Sequence, residues 1–141
     1  MEQRVSLITL GVRDIERSTT FYRALGWHEE DSPDGVVAFD LLSQTLGLYP
    51  LDKLAEDIGI DPETLGQGAM TLGYNARTRA EVDAVVAAAG KGGGEILKQP
   101  DEVFWGGYHG YFRDLDGHIW EVAFNPFAPL RKDGAFRWSG Y

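Results

Sequence analysis

Cysteine is missing from all 141 residues. That excludes a disulfide framework, a thiol nucleophile and a thiolate metal site. Basic residues are scarce, 13 against 22 acidic, for a formal charge of −9. Nucleic acid is therefore not an expected partner, because neutralising phosphates takes a cationic surface. Long apolar runs are lacking as well. No stretch approaches the roughly 20 residues of a membrane helix, so no membrane partner is expected. The opening Met1-Glu2-Gln3-Arg4 lacks a signal peptide's basic and then apolar pattern. The expected location is the cytoplasm. What the chain does have is 43% hydrophobic residues. That suits one domain burying roughly two thirds of its unfolded surface, and it is too apolar for a disordered chain.

A repeat organises the sequence. Ile8-Thr9-Leu10-Gly11-Val12 recurs as Met70-Thr71-Leu72-Gly73-Tyr74. The triplet Thr-Leu-Gly also occurs at Thr45 and Thr64, so the weight falls on the residues after each copy. Residues 5–12 read as a strand. Asp14 then caps a helix with Ile15, Ser18, Tyr22 and Leu25 on one face, Phe21 beside them and Gly26 as its stop. In the second copy Thr78 and Glu81 have capping-box spacing. Val82, Val85, Val86 and Ala89 form the buried stripe, and Gly90 reads as the stop. Short strands come next: 27–31, 36–41 and 45–49 in the first half, and about 94–99, 108–113 and 118–123 in the second. Phe39 aligns with Phe112, and Leu48 with Glu121. The plan is βαβββ twice.

The expected organisation is one domain over 1–128, with modules 1–50 and 66–128 joined by a linker, 51–65. Within the linker, Leu51, Leu54, Ala55 and Ile58 allow a short amphipathic helix. Lys91-Gly92-Gly93-Gly94 reads as a surface turn. The tail, 129–141, comes after Phe127 and carries Phe136 and Trp138. So aromatic a segment is expected to pack on the body or on a dimer partner.

Two motifs carry a family resemblance. The first is Ile8-Thr9-Leu10-Gly11-Val12-Arg13-Asp14 with Ser18, Phe21-Tyr22 and Leu25-Gly26. The second is Gly110-Tyr111-Phe112-Arg113-Asp114-Leu115-Asp116-Gly117-His118-Ile119-Trp120-Glu121-Val122, with Leu115 where the family usually has proline. Together they resemble the vicinal oxygen chelate superfamily, which includes glyoxalase I, bleomycin-resistance proteins and extradiol dioxygenases. The resemblance implies an α+β fold in which two βαβββ modules form a half-open barrel around a cleft. It also implies a homodimer and, in metal-dependent members, a divalent ion held from the first and last strands of each module.

The four positions matching those ligands are Leu7, about Leu48, about Ala69, and Glu121. Only Glu121 carries a donor suited to a divalent ion. Thr9, Gly47 and Met70, one or two residues away, are poor ligands too. The expectation is a metal-free cleft with no cofactor. The alternative joins His109 and Glu121 to a ligand from a partner chain.

Phe104-Trp105-Gly106-Gly107-Tyr108-His109-Gly110-Tyr111 interleaves aromatics with glycines. That suits a wall where a planar ligand nears the backbone. Phe104 reads as core, while Trp105 serves either as core or as wall. The turn after Arg113 sets the facing: a three-residue loop with Gly117 in a left-handed bulge puts His109, Tyr111 and Glu121 on one face. His118 reads as surface. Arg13 and Arg113 flank Asp14 and Asp114 as strand-end ion pairs. Tyr49 can line the cleft, and Arg131 and Lys132 in the tail could close over a ligand, although nothing in their spacing requires it. The ligand-binding candidates are thus Tyr49, Trp105, His109, Tyr111 and Glu121. Any catalysis would fall to Glu121 and His109, since a carboxylate in an apolar cleft is a candidate base. The expected function is binding of a small organic molecule. The alternative is a metal-dependent glyoxalase-like lyase or isomerase, or a dioxygenase, using Glu121.

Overall fold

The computed structural model describes residues 7–30, 35–66 and 70–137. The chain is α+β and divides into two compact units, 1–68 and 69–141. In the first unit, β1 (Leu7–Val12) leads into α1 (Ile15–Ala24). Asp14 caps that helix by accepting from the Arg17 amide at 3.0 Å. Gly26 takes φ +92° just beyond it. Two more strands, β2 (Val37–Asp40) and β3 (Thr45–Pro50), give the sheet order β1-β3-β2. A strand over 27–31 does not form among the described residues. Only Glu30 bridges to Ala38.

β1 and β3 run parallel, with Thr9 beside Gly47, Leu10 beside Leu48 and Gly11 beside Tyr49. Period two then sorts the faces. Leu10, Val12, Leu46 and Leu48 are buried with Phe21, Tyr22 and Phe39. Tyr22 and Phe39 rings meet at 5.7 Å, which fixes this as the α1 side. Thr9, Gly11, Gly47 and Tyr49 take the opposite face. There α2 (Leu51–Ile58) lies across β1 and β3. It packs so closely that a Cβ on Gly11 would meet Leu51 Cδ1 at 2.7 Å. The segment expected as a linker therefore contains a packed helix.

The second unit opens with β4 (Thr71–Asn75) and α3 (Arg79–Lys91). Thr78 caps α3 by accepting from the Glu81 amide at 3.1 Å. The helix runs through Gly90, which was expected to stop it. The left-handed residue is Gly93, at φ +95°. A Cβ at Gly90 would make an ordinary contact with Ile96 at 3.4 Å. β5 (Glu95–Glu102), β6 (Tyr108–Arg113) and β7 (Ile119–Phe124) complete a sheet ordered β4-β7-β6-β5. Val82, Val86 and Ala89 of α3 are buried, as are Leu72, Phe112, Trp120 and Val122 of the sheet.

Candidate functional site

The β6–β7 turn decides which side chains share a face. Asp114 N–H donates to the His118 carbonyl, and Gly117 N–H to the Asp114 carbonyl. Gly117 sits at φ +98°. This is a three-residue loop closed by a glycine bulge. The odd count pairs Tyr111 with Glu121 and His109 with Ala123. His109, Tyr111 and Glu121 therefore stand together on the face opposite the buried Phe112, Trp120 and Val122.

They form a hydrogen-bonded cluster centred on the Glu121 carboxylate. His109 Nδ1 lies 3.1 Å from Glu121 Oε1. His109 and Tyr111 rings meet edge to face at 5.1 Å. The Tyr111 phenol is pushed up by burial and by its hydrogen bond to Glu121. On the other side, Lys98 Nζ lies 2.9 Å from His109 Nε2. An ammonium only donates, so Nε2 accepts and the ring proton sits on Nδ1, where it donates to Glu121. Lys98 was missed in the sequence. β5 shifts register on both sides of it, between Ile96 and Lys98 and again before Asp101, so simple alternation does not reveal its facing.

Beside the cluster lies a pocket of about 710 Å³, lined wholly from the second unit. Glu121 and Ala123 of β7 and Thr71, Gly73 and Asn75 of β4 form its floor. Gly73 pairs with Glu121, and a Cβ on Gly73 would meet nothing within 4 Å. Trp105, Phe127 and Phe136 contribute aromatic walls. The Trp105 ring lies against Gly107, where a Cβ would fall 1.8 Å from it. That glycine thus makes room for an indole, whereas the sequence suggested room for a ligand. Phe104, expected in the core, is fully exposed at the same hairpin tip.

The tail folds onto this unit. Arg77 Nη1 and Nη2 donate to the carbonyls of Arg131 and Lys132, both at 2.9 Å. Arg131 also pairs with Asp133 at 2.5 Å. Trp138 lies outside the described residues. Tyr74, at the pocket lining, donates to Glu81 at 2.5 Å. Burial first, and then that bond, push its phenol up to about 12.

Tyr49 belongs to the first unit, where Asp57 engages its hydroxyl. The strand register corrects one expectation. Gly11 pairs with Tyr49 as Gly73 pairs with Glu121. The repeat therefore matches Glu121 with Tyr49; Leu48 is fully buried on the α1 side. His118, expected at the surface, has a side chain only 13% exposed, with Nδ1 2.8 Å from Asp114 Oδ2. Asp114 thus serves its own turn, while Arg113 pairs with Glu95 at 2.6 Å.

This donor set does not fit a divalent ion. Among the described residues no three His, Asp or Glu side chains gather. Leu7, Thr9, Gly11, Gly47 and Tyr49 supply no carboxylate or imidazole, and Ala69 lies outside the described residues. Both nitrogens of His109 face protein partners, one of them a cation.

Comparison with known proteins gives a consistent picture. The model of the Glyoxalase/Bleomycin resistance protein/Dioxygenase superfamily matches residues 4–122. The chain is similar to a glyoxalase-related enzyme from Fulvimarina pelagi, at 33% identity and a TM-score of 0.89, covering 98% of this chain and 99% of that one. A hypothetical protein from S. aureus is 27% identical, with a TM-score of 0.77 and coverage of 89% and 95%. A glyoxalase/bleomycin resistance protein from Albidiferax ferrireducens is 28% identical, with a TM-score of 0.68 and coverage of 86% and 98%. No curated protein matches the chain.

Proposed function

Because this chain belongs to the Glyoxalase/Bleomycin resistance protein/Dioxygenase superfamily, we propose that it binds a small organic molecule in the pocket of its second unit, without a resident metal ion. The observation that carries the reading is the pocket itself. Its volume of about 710 Å³ falls within the roughly 300–1,000 Å³ of small-molecule sites. Its lining has the matching chemistry: apolar and aromatic walls around one carboxylate. Trp105 and Glu121 contact the ligand in this reading, and His109 and Tyr111 hold Glu121 in place.

Gly73 offers the test. Its φ is unexceptional, so Gly73→Val narrows the pocket beside Glu121 without backbone strain. Screening a fragment library by tryptophan fluorescence should yield molecules that bind the parent protein and lose binding to Gly73→Val. Hits that bind both forms equally overturn the assignment. Metal analysis of the purified protein should find no stoichiometric divalent ion. A stoichiometric one, lost on Glu121→Gln, overturns the metal-free part.

A second reading has its own support, because the relative at 33% identity is described as a glyoxalase-related enzyme. Catalysis would use Glu121 as the base, being the one carboxylate at the described pocket lining. Glu121→Gln would then abolish turnover of a bound molecule while leaving measurable affinity. We also propose a homodimer, supported by the exposed rings of Phe104 and Phe127. Sedimentation should give twice the mass of the 15.6 kDa chain.

A further inference from the structure

We propose that the pocket selects an organic cation, an amine or quaternary ammonium on an apolar body; this rests on the ligand-binding reading above. Glu121 is the one side chain at the described lining that carries charge at neutral pH. Tyr74 stays neutral there and directs its hydroxyl to Glu81. Thr71, Asn75 and Asn125 are neutral, and Asn125 Oδ1 already accepts from the Phe127 amide at 2.9 Å. The pocket therefore has a negative floor and no positive lining residue among those described.

Nor does a described residue pair a cation directly with that carboxylate. Its donors within the cluster are a phenol and an imidazole Nδ1–H. Lys98 reaches it only through the His109 ring. A carboxylate offers about four acceptor sites. Two neutral donors leave room for a ligand's N–H or cationic methyl groups. Gly73, opposite Glu121, leaves the approach open.

A neutral ligand without a donor would cover Glu121 and leave the displaced water unreplaced, which is costly for a charge, and a neutral donor would return one hydrogen bond without compensating the charge. An anion would add repulsion at short range. The chain's formal charge of −9 acts in the same direction. Trp105, Phe127 and Phe136 add aromatic rings to the lining, and a cation that meets the face of such a ring gains further attraction. The pocket's carboxylate, its lack of a described positive lining residue and its aromatic side chains thus agree with the chain's net charge on the sign of the ligand's charge.

The test uses three probes of similar bulk: benzyltrimethylammonium, benzyl alcohol and phenylacetate. Binding to the full chain is measured by calorimetry and tryptophan fluorescence. The cation should bind at least about tenfold more tightly than the alcohol, and phenylacetate should bind least. Glu121→Gln should erase the preference while the alcohol still binds, and Glu121→Asp should restore part of it. Equal binding of cation and alcohol to the parent protein overturns the proposal, as does a preference that survives Glu121→Gln. If no probe binds at millimolar concentration, the selection is wrong for this pocket. If in addition the fragment screen finds no hit sensitive to Gly73→Val, the pocket reading itself falls.

Discussion

His109 joins a surface cation to a pocket anion, with Lys98 2.9 Å from one nitrogen and Glu121 3.1 Å from the other. Lys98 thereby sets the tautomer, and nitrogen NMR should find His109 carrying its proton on Nδ1 at neutral pH. Lys98→Met removes the donor facing Nε2 and should bring the other tautomer into the population. An unchanged spectrum would mean that Glu121 alone orients the ring. Tyr74 makes a second prediction, in alkali. Its phenol titrates near 12 when folded, against an ordinary value of 10.0. The folded state thus holds the proton that the unfolded state has released. Stability from this group is complete below pH 10 and is lost as pH rises toward 12. Tyr74→Phe should flatten that part of the stability profile and remove one late-titrating phenol from the ultraviolet difference spectrum. At this scale the sequence was informative where chemistry and period two agreed, as at His109, Tyr111 and Glu121. It was silent on Gly73, whose contribution is an absent side chain, and on Lys98, whose strand is irregular on both sides.

At the level of elements, the β6–β7 turn carries the site's geometry. The Asp114 side chain is 2% exposed. Its Oδ1 accepts from the amides of Asp116 and His118 at 3.0 and 2.8 Å, and its Oδ2 faces His118 Nδ1 at 2.8 Å. Hydrogen bonds to a charged group are worth about 1.5–3 kcal/mol each, with incomplete additivity. Asp114→Ala should therefore cost about 3 kcal/mol in urea unfolding, and loosening the turn should weaken fragment binding at Glu121. A loss below about 1 kcal/mol would show that Gly117 and strand pairing suffice. The tail depends on a different clasp. Arg77→Lys keeps the charge but loses the fork that spans two carbonyls. Trypsin should then cut after Arg131 or Lys132 several-fold faster, with the midpoint of global unfolding little changed. The turn was readable beforehand because Gly117 has a single conformational role. The Arg77 clasp was not, since it joins residues more than 50 positions apart through backbone carbonyls, which every residue possesses. Among the described residues of the expected strand 27–31, only Glu30 bridges, for a related reason: pattern marks a segment as able to pair, and tertiary context decides whether it does.

Across the whole molecule, duplication supplies two similar sheets, and the chain treats their corresponding faces differently. Gly11 and Gly73 stand at the same place in the repeat, beside Tyr49 and Glu121 respectively. At Gly11, α2 presses Leu51 and Leu54 onto the sheet, within 2.7 and 3.2 Å of where a Cβ would lie. At Gly73 that space is empty. The same residue type thus serves close packing in one unit and access in the other. Neither use is visible in the shared Thr-Leu-Gly triplet; α2 makes the difference, and a helix read as linker gives no sign of what it covers. The contrast predicts opposite outcomes for one substitution. Gly11→Val must displace α2, and overpacking of this kind costs about 1–3 kcal/mol. It should lower the unfolding midpoint while sparing ligand binding in the second unit. Gly73→Val should leave the midpoint within about 0.5 kcal/mol of the parent, as surface substitutions do, while abolishing binding of the fragment hits. Equal destabilisation by both would mean that the second face is packed as tightly as the first, leaving no space there for a ligand.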